Sequence, residues 1–120
     1  MNAKDFVHAV KVAVNQGATK GTLDVLRKPP GRRPDANLIQ LSQWFHGLSA
    51  EDRNTVARIV DLAASQATYN FLLVLDGLLA IEPAGTKGKL ALFYDDGNTR
   101  IRLNGEDNTD QLTLLFKEHE

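Results

Sequence analysis

Apolar and polar positions along this chain recur at helical spacing over the first two thirds and change period near the end. In residues 3–16, Phe6, Val10, Ala13 and Val14 fall at i, i+4, i+7 and i+8, which predicts an amphipathic helix stopped at Gly17. A short helical turn is predicted over Thr22–Leu26, with Leu23 and Leu26 inward. Arg27-Lys-Pro-Pro-Gly-Arg-Arg-Pro34 cannot be helical with three prolines and a glycine, and should run extended at the surface. A second helix is predicted from Asp35, its N-cap, with Leu38, Leu41, Trp44/Phe45 and Leu48 on one stripe and Gly47 at the C′ position. Ser49 is placed to cap a third helix that begins near Ala50, with Glu51 and Asp52 at its positive end.

The third helix is the longest element predicted. Its stripe is Val56, Ile59, Val60, Ala63, Ala67, Phe71, Val74, Leu78 and Ile81, and Asn70 lies on the same face as a buried polar candidate. The opposite face starts polar with Arg58, Asp61 and Ser65 and turns apolar at Leu72 and Leu79. The second half therefore reads as enclosed, up to a stop at Pro83 and Gly85. Beyond it, Lys89–Tyr94 and Thr99–Leu103 flank Asp95-Asp-Gly-Asn98, a hairpin signal, with Ile101 and Leu103 on one side and Arg100 and Arg102 on the other. A lone hairpin is marginal in water, so its apolar face should lie on the helices. Thr109–Glu118 closes the chain as a helix with Leu112, Leu115 and Phe116 inward. The expected fold is α+β and mostly helical: about four helices around a long central one, with a C-terminal two-stranded antiparallel hairpin, in a single domain over residues 1–120.

Composition narrows the chemistry. The chain contains no cysteine, which excludes disulfides, thiolate metal sites and a cysteine nucleophile. The first ten residues hold no apolar stretch of the signal-peptide kind, and Phe71–Ile81 is too short to span a bilayer, so a cytoplasmic location is expected. Net charge is -1 but uneven: residues 1–34 hold seven Lys/Arg against two acids, and residues 35–120 hold seven against thirteen. Mutual pairing of the two parts accounts for this more simply than a nucleic-acid arm, because the whole chain is near neutral.

His8, His46 and His119 lack metal-ligand spacing, and no cofactor is expected. Gly17–Thr22 and Gly85–Gly88 have neither the spacing nor the strand-to-helix setting of a phosphate loop and read as turns. Asp95, Asp96, Glu106, Asp107 and Asp110 could in principle hold a cation, but turn chemistry and helix capping explain them directly. Asp76 stands out. An enclosed carboxylate needs an arginine or several amide donors, and Arg32 and Arg33 are the arginines considered. Arg27, Lys28, Arg32, Arg33 and Asp76 form the candidate partner- or anion-binding set, with Tyr69 or His46 as further members of a ligand site. The basic run lacks the interleaved aromatics of a single-strand binder, and the third helix is too long and too acidic at its start for a recognition helix.

The strings Arg33-Pro34, Leu41-Ser-x-Trp-Phe45, Leu48-Ser-x-Glu-Asp-Arg53, Ile59-Val60 and Phe71-Leu-x-Val-Leu-Asp-Gly77 resemble a family of short bacterial proteins of unknown function. The similarity continues through Ile81-Glu82, Lys87-Gly88 and Leu103-Asn104 and covers most of residues 32–116. The resemblance implies a small standalone cytosolic bacterial protein, of a kind often encoded as immunity, antitoxin or accessory factors. It implies no activity and no site residues.

The expected function is a non-enzymatic protein-interaction module, or a homo-oligomer using Leu72, Leu73 and Leu79. A small-ligand binder or enzyme built on Arg32, Arg33 and Asp76 is the alternative. Nucleic-acid binding through residues 27–33 is the second alternative.

Overall fold

The computed structural model describes residues 1–83, 85, 88–105 and 111–118. The fold is α+β: α1 (Ala3–Val10), a π-helical segment (Lys11–Gln16), α2 (Gly17–Arg27), α3 (Ala36–His46), α4 (Ala50–Leu75), β1 (Phe93–Asp95), β2 (Arg100–Arg102) and α5 (Leu112–Glu118). The residues capping α1 and α2 at the π segment, Lys11 and Gln16, both have right-handed helical backbone angles. The three segments are therefore one uninterrupted helix, and the helices described number four. The chain divides into two compact units, one of Met1–Val12 with Gln66–Glu120 and one of Ala13–Ser65.

The predicted break at Gly17 does not occur. Glycine ends a helix when it takes a positive φ, and neither Gly17 nor Gly21 does. Two helical glycines cost about 1 kcal/mol each. The turn that follows is braced by Lys20–Asp24 at 2.7 Å and Arg27–Asp24 at 3.4 Å. The helix ends instead at Arg27, since Lys28 precedes Pro29 and is forced extended, at φ -152° and ψ 102°.

In the Ala13–Ser65 unit, α2 packs on α3. The buried side of α3 runs through Leu38, Ser42 and Phe45, so the predicted members Leu41 and Trp44 face outward. Asp35 precedes α3, but its side chain makes no cap bond, and Gly47 sits at the C-cap with a right-handed φ of -77° rather than at a left-handed C′ position. Ser49 does cap α4, its Oγ accepting from the Asp52 amide at 3.1 Å. On this part of α4 Val56, Ala57, Val60 and Ala64 are half-buried, while Ile59, Leu62 and Ala63 are exposed. Asn15 is buried, with its Oδ1 unpaired among the described residues.

In the other unit, Val7, Leu72, Leu112, Leu115 and Phe116 form the core, with Ala3, Phe6, Tyr69 and Leu75 packed on it. The buried face of α4 here is Thr68 and Leu72; Asn70 and Phe71, expected inside, are exposed. Leu72 is thus core rather than oligomer surface. The helix stops at Leu75, well short of Pro83, because Gly77 takes φ 76° and closes a Schellman turn: the Gly77 amide donates to the Val74 carbonyl at 3.1 Å and the Leu78 amide to the Leu73 carbonyl at 2.9 Å. Leu78 and Ile81 lie beyond the helix and are exposed.

The hairpin pairs Phe93 with Arg102, Tyr94 with Ile101 and Asp95 with Arg100. Its six strand residues are all exposed, so it does not lie flat on the helices as expected. Phe93 is covered by Arg100 and Arg102, whose guanidinium carbons lie 4.1 and 5.4 Å from its ring centre. The hairpin is held at its base, where Leu103 and Asn104 are buried. The Asn104 carboxamide accepts from the Leu92 amide at 2.7 Å and from Arg102 Nε at 3.1 Å, and donates to the carbonyls of Leu75 and of Leu90, the latter at 3.1 Å.

Asn104→Ala should therefore destabilise this unit by about 3 kcal/mol, because a buried amide and two carbonyls lose their partner at once. Asn104→Asp should be no better, since a carboxylate cannot donate to Leu75 and Leu90. Urea unfolding measures both, and wild-type stability in Asn104→Ala would contradict the assignment.

Candidate functional site

Three helix ends in the Ala13–Ser65 unit enclose an open cavity of about 470 Å³. Leu23 and Arg27 come from one face of α2, four residues apart, and Phe45 and His46 from the last turn of α3. Ala50, Arg53, Asn54 and Ala57 come from α4 at i, i+3, i+4 and i+7, a spacing that puts all four on one side of a helix. Phe45 is 4% exposed, and Leu23 and Ala57 are half-buried, so the floor is apolar. The polar groups of the wall are Arg27, His46, Arg53 and Asn54, and among the described residues no carboxylate lines it.

The geometry at the mouth is set by His46. Its Nε2 lies 2.7 Å from the Arg27 carbonyl. A carbonyl only accepts, so Nε2 carries the proton, and the bond ties the last turn of α3 to the last turn of α2. Arg27 meets Asp24 at 3.4 Å, while Lys20 takes the same carboxylate at 2.7 Å. Asp24 is held below its ordinary pKa, first by the hydrogen bond from Lys20 and then, against some desolvation, by the charges of Lys20 and Arg27. Arg53 is half-buried, and among the described residues its guanidinium has no acceptor.

Of the residues singled out from the sequence, Arg27 lies in this wall, and His46 with it. Lys28, Arg32 and Arg33 follow on the exposed Pro-bounded loop, where no ion pair among the described residues engages them. Asp76 belongs to the other unit, and its charge is met in the second of the two ways available to it. Oδ1 accepts from the Leu112 amide at 3.0 Å, and Oδ2 accepts from the Thr113 amide at 3.0 Å and the Thr113 hydroxyl at 2.9 Å. In place of an ion pair with Arg32 or Arg33, Asp76 supplies the N-terminal cap of α5 from the end of another helix. Arg53 and Asn54 were missed because one arginine on a mixed helical face carries no mark until α2 and α3 are laid beside it.

Gly17–Thr22 is helix, not a turn. At the hairpin tip the acids are engaged by the turn: Asp95 Oδ1 accepts from the Gly97 amide at 2.8 Å, and Asp96 Oδ1 from the Asn98 and Thr99 amides at 2.8 and 2.7 Å. Among the described residues no group of three or more His, Asp or Glu is arranged to hold a metal. Glu106, Asp107, Asp110, His119 and the Thr86-Lys87 pair lie outside the described residues. No described helix is long and apolar enough to cross a membrane. Comparison with known proteins returns no matching protein family, no matching curated protein and no matching solved structure.

Two outcomes follow. Asp76→Ala should cost about 1–2 kcal/mol through the lost cap, and Asp76→Asn less, because one accepting oxygen remains. Urea unfolding with amide exchange along α5 measures this, and unchanged protection of α5 in Asp76→Ala would contradict it. Asp96 is held below its ordinary pKa by the Thr99 and Asn98 amides. Its folded value is the lower one, so its contribution to the turn is full above the ordinary carboxylate range and is lost as pH falls through the depressed value. A carbon-13 titration of the carboxyl groups should show Asp96 with a midpoint below that of an unfolded-chain aspartate, and the Asn98 and Thr99 amides moving with it. An unshifted midpoint would refute the turn's role.

Proposed function

We propose that this chain is a small protein-interaction module that works without catalysis, of the immunity or regulatory kind. The observation that carries the reading is Trp44, 58% exposed on the outer face of α3, with Leu41, 43% exposed, one turn before it. Residues three apart on a helix share a face, so the two form one apolar step. On α4 of the same unit Ile59 and Leu62 stand at the same spacing, each 60% exposed. Scattered apolar side chains are ordinary on a surface, but an exposed tryptophan in an apolar pair is the type of residue that dominates binding energy at interfaces.

The unit that carries Trp44 also carries the cations Lys28, Arg32 and Arg33 on a loop stiffened by Pro29, Pro30 and Pro34. A stiff loop loses little entropy on binding, and unpaired cations favour an acidic partner. The partner that fits is a protein with an apolar cleft rimmed by aspartate and glutamate.

Capture from nuclease-treated lysate of the native host, followed by mass spectrometry, tests the reading against Trp44→Ala and a triple variant with Lys28, Arg32 and Arg33 changed to glutamine. One stoichiometric protein is expected with the wild type. Trp44→Ala should weaken it by about 2 kcal/mol or more without altering the fold, and the triple variant should weaken it most at low salt. The Trp44 emission should shift to shorter wavelength as the partner covers the ring. Capture that persists in Trp44→Ala, or that is lost on nuclease treatment, would count against the proposal; the second result would point to nucleic acid.

A further inference from the structure

We infer that the cavity between the ends of α2, α3 and α4 binds a small organic oxyanion, a phosphate or carboxylate carried on an apolar body. The inference stands apart from the protein-binding surface, since none of the residues it uses is Leu41, Trp44 or the Lys28–Arg33 loop.

Arg53 is the anchor. The residue is half-buried and lines the cavity, and its guanidinium offers five N–H donors with no acceptor among the described residues. Among the described residues no carboxylate lines this wall to neutralise it. The acids closest in sequence, Glu51 and Asp52, do not line the cavity. A guanidinium left in this state matches the two-oxygen edge of a carboxylate or phosphate, which it can grip with two parallel hydrogen bonds.

Arg27 supplies a second cation to the same cavity. Its contact with Asp24 is long, at 3.4 Å, and Asp24 keeps its closer partner Lys20, at 2.7 Å, if Arg27 turns inward. The ring of His46 is fixed by its bond to the Arg27 carbonyl, so the last turn of α2 is held at the cavity mouth. Asn54 stands one residue along α4 from Arg53 and adds a carboxamide donor. Two guanidinium groups line the cavity, and among the described residues no acid does, which defines an anion site.

The apolar floor sets the rest of the ligand. Leu23, Phe45 and Ala57 offer nothing to a bare inorganic ion but bury a ring or a short aliphatic chain. The volume, about 470 Å³, lies within the range of small-molecule sites. Head group at Arg53 and Arg27 with the body on Phe45 is the arrangement that uses both parts.

Phenyl phosphate is the probe, added to the full-length protein and followed by proton–nitrogen NMR that includes the arginine Nε–H groups. Saturable shifts are expected at Arg53 Nε–H, Asn54 and Ala57. Affinity should fall at least tenfold in Arg53→Gln and again in the Arg27→Gln/Arg53→Gln double variant, with circular dichroism melting unchanged. Benzoate should bind at the same residues. Inorganic phosphate, which has no apolar body, and benzyl alcohol, which has no charge, should each bind more weakly than phenyl phosphate. No saturable shift at millimolar phenyl phosphate would overturn the inference. So would equal affinity in Arg53→Gln, or binding of inorganic phosphate or benzyl alcohol as tight as that of phenyl phosphate.

Discussion

A helix that ends leaves carbonyls without donors, and a helix that begins leaves amides without acceptors. In the unit of Met1–Val12 and Gln66–Glu120, the last residues of α4 meet both needs at once. The Leu75 carbonyl takes a hydrogen bond from Asn104, and the carboxylate of the next residue, Asp76, takes the first amides of α5. Gly77 makes this possible, because its positive φ turns the chain away immediately after Asp76 and leaves that side chain open to α5. The rest of the unit depends on that turn. Asn104 holds the hairpin base through Leu90 and Leu92, and α5, only seven residues long, is too short to persist without its cap and the burial of Leu112, Leu115 and Phe116.

The Ala13–Ser65 unit is built differently. Its fixed points are also helix ends, Ser49 on the Asp52 amide and His46 on the Arg27 carbonyl, but its apolar core is thin. Phe45 is the one buried large apolar side chain among its described residues, and Leu23, Leu26, Leu38, Val56 and Val60 of the same unit are half-buried. Helix ends gathered around one phenylalanine leave space between them, and that space is the cavity lined by Arg27, Arg53 and Asn54.

The sequence shows where this chain is helical more clearly than which side of each helix is covered. Periodicity located α3, α4 and α5, Ser49 announced the start of α4, and Asp95-Asp-Gly-Asn98 announced the hairpin. Periodicity fails where a helix is apolar nearly all round. On α4, Ile59, Ala63, Ala67 and Phe71 make as regular a stripe as the face that is buried, and only the neighbours of each half decide between them. Gly17 and Gly77 look alike as letters, yet only Gly77 takes the left-handed angle that stops a helix. For Asp76, its need for partners was legible from burial arithmetic, but the partners, two amides and a hydroxyl 36 and 37 residues away, depend on tertiary contact. Arg53 gave no sign of itself, because an unpaired arginine is recognisable only when its surroundings are known.

The two features proposed to bind share a thermodynamic setting. A unit with a single buried large apolar side chain among its described residues has little stability of its own to lose, since stability is a small difference between large terms and scales with the apolar area removed from water. Anything that binds its folded form and not its unfolded form adds to that stability by mass action. Trp44 and Leu41 leave apolar area uncovered, and Arg53 has no acceptor among the described residues, so a partner or ligand that covers either adds contacts the unit does not make itself. In the other unit the costly groups, Asn104 and Asp76, are already matched within the chain. Exposed apolar side chains occur in both units, Phe71, Leu78, Ile81 and Leu114 among them in the hairpin unit, so what sets the Ala13–Ser65 unit apart is a tryptophan and a cation-lined cavity in the same thinly packed unit, not exposure alone.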